Sequence, residues 1–109
     1  MPGERTYLGE FEQLVLWAIV RLAGEADGVS VRRLLEERAG RTVSIGALYA
    51  TLDRLEHKGY AASKPGVSSP LRGGRPRRGY RVTAPGHRAL EQSRRMLEAM
   101  WDGAAEGRS

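Results

Sequence analysis

The sequence predicts a mainly helical domain: three helices, a two-stranded hairpin with a basic tip, and one longer helix at the end. Three observations point there. Apolar residues recur at helical spacing in three separate runs before residue 60. Two short strand-like runs, Tyr60–Ser63 and Gly79–Thr83, flank a stretch rich in Gly, Pro and Arg. A last apolar-striped run follows the capping residue Thr83.

The first helix is expected over Leu8 to Ala23. Phe11, Leu14, Val15, Ala18, Ile19 and Leu22 share one face, while Leu16, Trp17 and Val20 lie off it. A helix that is apolar on two sides must bury both, so the second side needs another element or another subunit. For Trp17 the alternative is a core position in its own chain. Gly24 to Gly28 reads as a turn. Ser30 is the expected N-cap of a second helix, Val31 to Ala39, with Leu34 and Leu35 inward and Gly40 as its stop.

Ser44 is the expected N-cap of the third helix, which runs from about Ile45 to Lys58 and ends at Gly59. Ile45, Leu48, Leu52 and Leu55 mark its buried face. The other face carries Gly46, Ala47, Tyr49, Ala50, Asp53 and Arg54. A merely solvated face would normally hold Glu and Lys. Small residues and hydroxyls suit a helix that must enter a groove and reach phosphates or base edges.

Between the two strands lies Lys64 to Arg81, KPGVSSPLRGGRPRRGYR, with six basic residues and no acidic one. The chain carries 18 basic and 13 acidic residues, so the remainder holds 12 against 13 and is nearly neutral. The positive excess of this +5 chain sits in one loop, the footprint of a polyanion partner. Composition alone equally allows a solvated or disordered loop. Thr83 caps the last helix, Ala84 to Trp101, with Pro85 in its first turn. Leu90, Leu97 and Trp101 form one stripe, with Ala89, Met96 and Met100 beside it. This helix follows a complete unit, so its leftover face suits the first helix of a second copy; packing on its own domain is the alternative. Residues 102–109 are expected to be disordered.

Other functions find little support. With no cysteine there is no disulfide, thiolate nucleophile or usual structural zinc site. The two histidines, His57 and His87, lack a ligand cluster, so neither a metal nor a cofactor is expected. Glu36 and Glu37 are adjacent and point about 100° apart on a helix, so they make no acid/base pair. RGGRPRRG lacks the spacing and following helix of a P-loop. An enzyme is not expected. No apolar run reaches the roughly 18 residues of a membrane span, and the charged N-terminus lacks a signal-peptide core. A cytoplasmic protein is expected.

Helix, helix, turn, helix and a basic hairpin make a winged helix-turn-helix: a three-helix core with a β-hairpin wing, followed here by a C-terminal dimerisation helix. Its parts are residues 6–83 for DNA binding and 84–101 for the last helix. The sequence also resembles the PadR-like transcriptional regulators in their short form. The resemblance rests on LGEFEQLVLWAIVRL, VSIGALYATLDRLEHKGY and GGRPRRGYRVTAPGHRAL. It implies a cytoplasmic, homodimeric DNA-binding repressor, and some relatives respond to phenolic or drug-like molecules; a symmetric dimer in turn demands an inverted-repeat operator in double-stranded DNA. Ser44, Gly46, Ala47, Tyr49 and Ala50 match the family's recognition face, which Arg54 extends. Arg75, Arg77 and Arg78 match its wing, with Arg72 beside them. The expected dimer residues are Leu16, Trp17, Val20, Leu90, Leu97, Met100 and Trp101, and Trp17 and Trp101 are candidates for holding a small aromatic effector. Gly79 stands where the family usually has a bulky residue, which makes the wing's neck more flexible. Two other readings remain: an RNA-binding module, with only Tyr80 as a stacking platform, and a module docking its basic wing on an acidic protein.

Overall fold

The computed structural model describes residues 7–66 and 78–104. The chain runs α1 (Glu10–Leu22), α2 (Gly28–Ala39), α3 (Ile45–His57), β1 (Ala61–Lys64), β2 (Gly79–Val82) and α4 (Ala84–Trp101). The order of elements is the expected one, and the family of folds is the winged helix.

Helix α1 is the centre of the molecule: α2, α3, β2 and α4 all pack on it. That arrangement settles the fate of its second apolar side. Leu16 is completely buried in its own chain, and Val20 is half-buried against the same core. Leu16 is therefore not available to a dimer interface, contrary to the expectation from the sequence. Trp17 is the most exposed of the three, at 38%. The core beneath joins Val15, Leu16 and Ile19 of α1 to Val31 and Leu35 of α2, and to Leu48, Leu52 and Leu55 of α3.

Helix α2 starts three residues earlier than expected. Asp27, not Ser30, is its N-cap: Asp27 Oδ1 accepts from the Ser30 N–H at 2.8 Å, and the Asp27 N–H donates to Ser30 Oγ at 3.0 Å. Ser30 is thus the reciprocal partner of the cap. In α3, Ser44 Oγ accepts from the Ala47 N–H at 3.1 Å, as its capping role requires. Ile45 departs from the expected buried stripe. It is 45% exposed, because the first residue of α3 lies beyond the edge of the core, and Thr51 is buried instead.

The hairpin is antiparallel, with Ala61 opposite Val82, Ser63 opposite Tyr80 and Lys64 opposite Gly79. Tyr80 turns inward and is buried. Its N–H also donates to the Ala26 carbonyl at 2.8 Å, so the α1–α2 turn contributes a single bridge on the other side of β2. A Cβ on Gly79 would meet only that carbonyl, at an ordinary 3.9 Å. The absence of a bulky residue there is no steric necessity.

Helix α4 changes character along its length. Gly86, Ala89, Leu90 and Ser93 are buried. Leu90 packs fully into its own domain and, like Leu16, is withdrawn from any dimer contact. Beyond Ser93 the helix projects: Leu97 is 61% exposed, and Met100 and Trp101 are 80% exposed. Arg94 pairs with Glu91 and Glu98 along this stretch, where core packing has ended. The tail from residue 105 and the N-terminal residues 1–6 lie outside the described residues.

The root of α4 is fixed by a close approach. Thr83 Oγ1 donates to the Gly59 carbonyl at 2.6 Å and accepts from the Gly86 N–H at 3.1 Å. A Cβ on Gly86 would stand 2.1 Å from the Tyr60 carbonyl oxygen, which is backbone and has little room to move. Gly86→Ala should therefore cost about 2–3 kcal/mol, through displacement of α4 from the hairpin. Gly46 has nothing within 4 Å of the same construction. Gly46→Ala should leave stability unchanged or raise it by up to about 1 kcal/mol. Urea denaturation of the two variants checks both signs.

Candidate nucleic-acid interface

The candidate surface has two parts, the outer face of α3 and the wing. On α3, Ser44, Gly46, Ala47, Tyr49, Ala50, Asp53 and Arg54 are all exposed. The first turn carries no acidic residue, and the positive end of its dipole lies at the exposed cap Ser44. Gly46, Ala47 and Ala50 present almost no side-chain bulk, so a backbone or base edge can approach the helix closely. Ile45 belongs to this surface as well. Its position one residue after the N-cap was the available signal, since a helix's first residue often overhangs the core.

Tyr49 is less free than its neighbours. It is 39% exposed, and its hydroxyl lies where a Cβ on Gly28 would be, 2.2 Å from that point. Gly28 is therefore the seat of the Tyr49 ring, and α2 and α3 meet through this pair.

Arg54 lies on the expected face with its side chain 52% exposed, and two of its guanidinium nitrogens bond back to the domain. Its Nε donates to Glu12 Oε2 at 3.1 Å and its Nη2 to Thr51 Oγ1 at 3.3 Å. Lys58 Nζ donates to the same Glu12 oxygen at 2.8 Å, and the Gly9 N–H donates to Oε1 at 2.8 Å. Glu12 is only 6% exposed. Burial pushes its carboxyl up, but the bonds from Lys58, the Gly9 N–H and Arg54 outweigh burial and hold it below the ordinary carboxylate range. Helical periodicity gives no hint of this cluster. Glu12 looks like an ordinary first-turn acid until α1 and α3 are brought together.

The wing is legible at its neck. Arg78 is exposed, and its Nη1 donates to Ser63 Oγ at 3.0 Å; that hydroxyl in turn donates to Glu56 Oε2 of α3 at 2.7 Å. The wing's base is thereby tied to the end of α3. Lys64 and Arg81 are also exposed on the two strands. Arg72, Arg75 and Arg77 lie outside the described residues. Beneath the neck, burial and the negative charge of Glu56 push the Tyr80 phenol up to about 12. Tyr80 is thus a pillar of the hairpin, and its burial removes the one stacking platform that an RNA reading relied on.

Among the described residues, no group of three or more His, Cys, Asp or Glu is placed to hold a metal ion. No described helix is long and apolar enough to cross a membrane.

Three helices, a hairpin packed against the third, and a small-residue face on that helix define a winged helix-turn-helix protein. Residues 16–92 match the model of the transcriptional regulator PadR-like family, and the chain belongs to that family. It is a family of transcriptional regulators, not of enzymes. The chain is 46% identical over 63 residues to the transcriptional regulator Rv3488 of Mycobacterium tuberculosis, a match spanning 58% of this chain and 55% of that protein. The chain thus spans about half the length of the curated relative it matches. Among solved structures, a PadR family transcriptional regulator from Eggerthella lenta superposes with a TM-score of 0.69 at 27% identity, covering 89% of this chain and 84% of that one. A PadR family regulator from Clostridium difficile gives 0.73 at 20% identity over 90% and 97% of the two chains, a likeness of fold.

The depressed Glu12 carboxyl sets a sign for acid stability. Its contribution is complete well above the ordinary value of 4.5 and is lost as pH falls through the lower folded-state value. Glu12→Gln should therefore lower the urea midpoint at pH 7 and change it much less at pH 3. An equal loss at both pH values would mean that the carboxylate's charge is irrelevant.

Proposed function

We propose that the chain is a homodimeric, sequence-specific DNA-binding regulator, acting as a repressor, with α3 in the major groove and the wing on the backbone or minor groove. The observation that carries this reading is the outer face of α3. Its exposed front turns hold small and hydroxyl-bearing residues, and it sits beside a hairpin that carries the chain's positive excess. Such a face allows close approach and direct readout, while wing arginines supply sequence-independent affinity. Ser44, Gly46, Ala47, Tyr49 and Ala50 form the recognition set, joined by Ile45, whose exposed aliphatic chain suits a thymine methyl. Arg72, Arg75, Arg77 and Arg78 form the wing set. Membership in a family of transcriptional regulators supports the reading.

The second copy is argued from α4. Leu97, Met100 and Trp101 form an apolar end that its own domain does not cover. Trp17 is the most exposed apolar residue of α1 and borders an apolar groove between α1 and α2 with Leu14 and Leu34. Pairing α4 of one copy with α1 of the other would cover both. Trp17 and Trp101 also offer flat faces for a small aromatic effector that releases DNA.

Both parts have direct tests. An inverted-repeat operator duplex should bind more tightly than a scrambled duplex at every salt concentration; equal affinities would sink sequence-specific regulation. Ala47→Glu places a carboxylate on the groove-facing surface, so it should abolish binding while moving stability by less than about 0.5 kcal/mol. Arg75, Arg77 and Arg78 replaced together by Ala should weaken binding to both duplexes and flatten the salt dependence. Met100→Glu should convert the dimer to monomer in sedimentation equilibrium; an unchanged mass would remove α4 from the interface.

A further inference from the structure

Arg54 and Lys58 continue the outer face of α3 towards its C-terminus. Ala47, Ala50, Arg54 and Lys58 follow one another at spacings of three, four and four, a single row along the helix and its cap. The front of this row is uncharged and its rear holds two cations. Both cations are drawn to one acceptor, Oε2 of Glu12, which sits at the first turn of α1. Glu12 is held from behind by the Gly9 N–H and is almost sealed from solvent, so its charge cannot be screened as an exposed carboxylate would be. Lys58 is itself mostly covered, with its side chain 26% exposed, whereas Arg54 keeps 52% exposure and is held through Nε and Nη2.

We infer that Glu12 is a specificity-determining positioning residue: it withholds Lys58, and the Nε edge of Arg54, from the phosphate backbone, so that affinity through α3 depends mainly on its uncharged front turns. This rests on the DNA-binding reading above. Two free cations at the rear of the recognition helix would grip phosphates of any sequence, because such contacts carry no base information. Each would add to non-specific and specific binding alike and narrow the ratio between them. Glu12 prevents that from inside the domain without placing a carboxylate on the DNA-facing surface.

The test uses the full chain and two duplexes, operator and scrambled, titrated across a salt series. Glu12→Gln keeps the size of the side chain and an acceptor for the Gly9 N–H but loses the charge. It should tighten binding to the scrambled duplex by roughly tenfold at low salt and steepen the slope of log K against log salt by about one or more. The ratio of operator to scrambled affinity should fall. Adding Lys58→Gln to this variant should return the slope towards that of the parent, whereas a stabilising role alone would lower the thermal midpoint and leave the slope unmoved. An unchanged slope in Glu12→Gln overturns the proposal. Should that variant fail to fold, Lys58→Gln in the otherwise unaltered chain reads the same claim. Its slope should match the parent's within about 0.3, and a loss of about one would mean that Lys58 already holds a phosphate and overturns it. Absence of duplex binding by the parent chain would instead defeat the DNA-binding reading itself.

Discussion

The rest of the structure depends on the burial of α1 on more than one side. Its apolar residues span too wide an arc to be covered by one neighbour, and α2, α3, β2 and α4 divide that surface among them. Because they share one helix as their floor, α3 and the paired strands of the hairpin are held in a common frame. The hairpin adds its own attachments, from Tyr80 to the Ala26 carbonyl and from Arg78 through Ser63 to Glu56. The DNA-reading surface proposed above is made of two separate elements and needs this kind of common support.

The same constraint explains where polar groups were placed inside. Glu12 lies where α1 crosses α3, nearly out of solvent, and would be costly there without partners. It has three donors and no shortage of hydrogen bonds. A buried carboxylate with two cations is poor evidence of extra stability, since apolar packing often does as well. Its value lies in geometry, because it ties two helices at a fixed crossing and fixes where two long cationic side chains point.

Much of this was legible in the sequence because it is local. Caps at Ser44 and Thr83, the stop at Gly59 and the full extent of α4 follow from residue types within a few positions of each other. What the sequence concealed was non-local. Leu16 and Leu90 looked like interface residues because helical periodicity cannot say how many neighbours a helix has. Ser30 looked like a cap because its partner Asp27 sits three residues earlier and takes the role first. Arg54 looked free because Glu12 lies 42 positions away in the chain. The outer face of α3 was readable for the opposite reason: a helix surface free of bulk and of the usual solvating charges is visible as a pattern.

The Tyr49–Gly28 contact bears on how such a protein can change its target. Ala47 and Ala50 are exposed, so on the proposed DNA-binding reading drift at those positions can try new side chains one at a time. Tyr49 is seated on a glycine in a different helix, and a bulkier residue at either end would disturb the other. The proposed recognition surface is therefore divided into positions that can vary singly and one that must vary as a pair. New operator preferences should arise around the tyrosine before they arise through it.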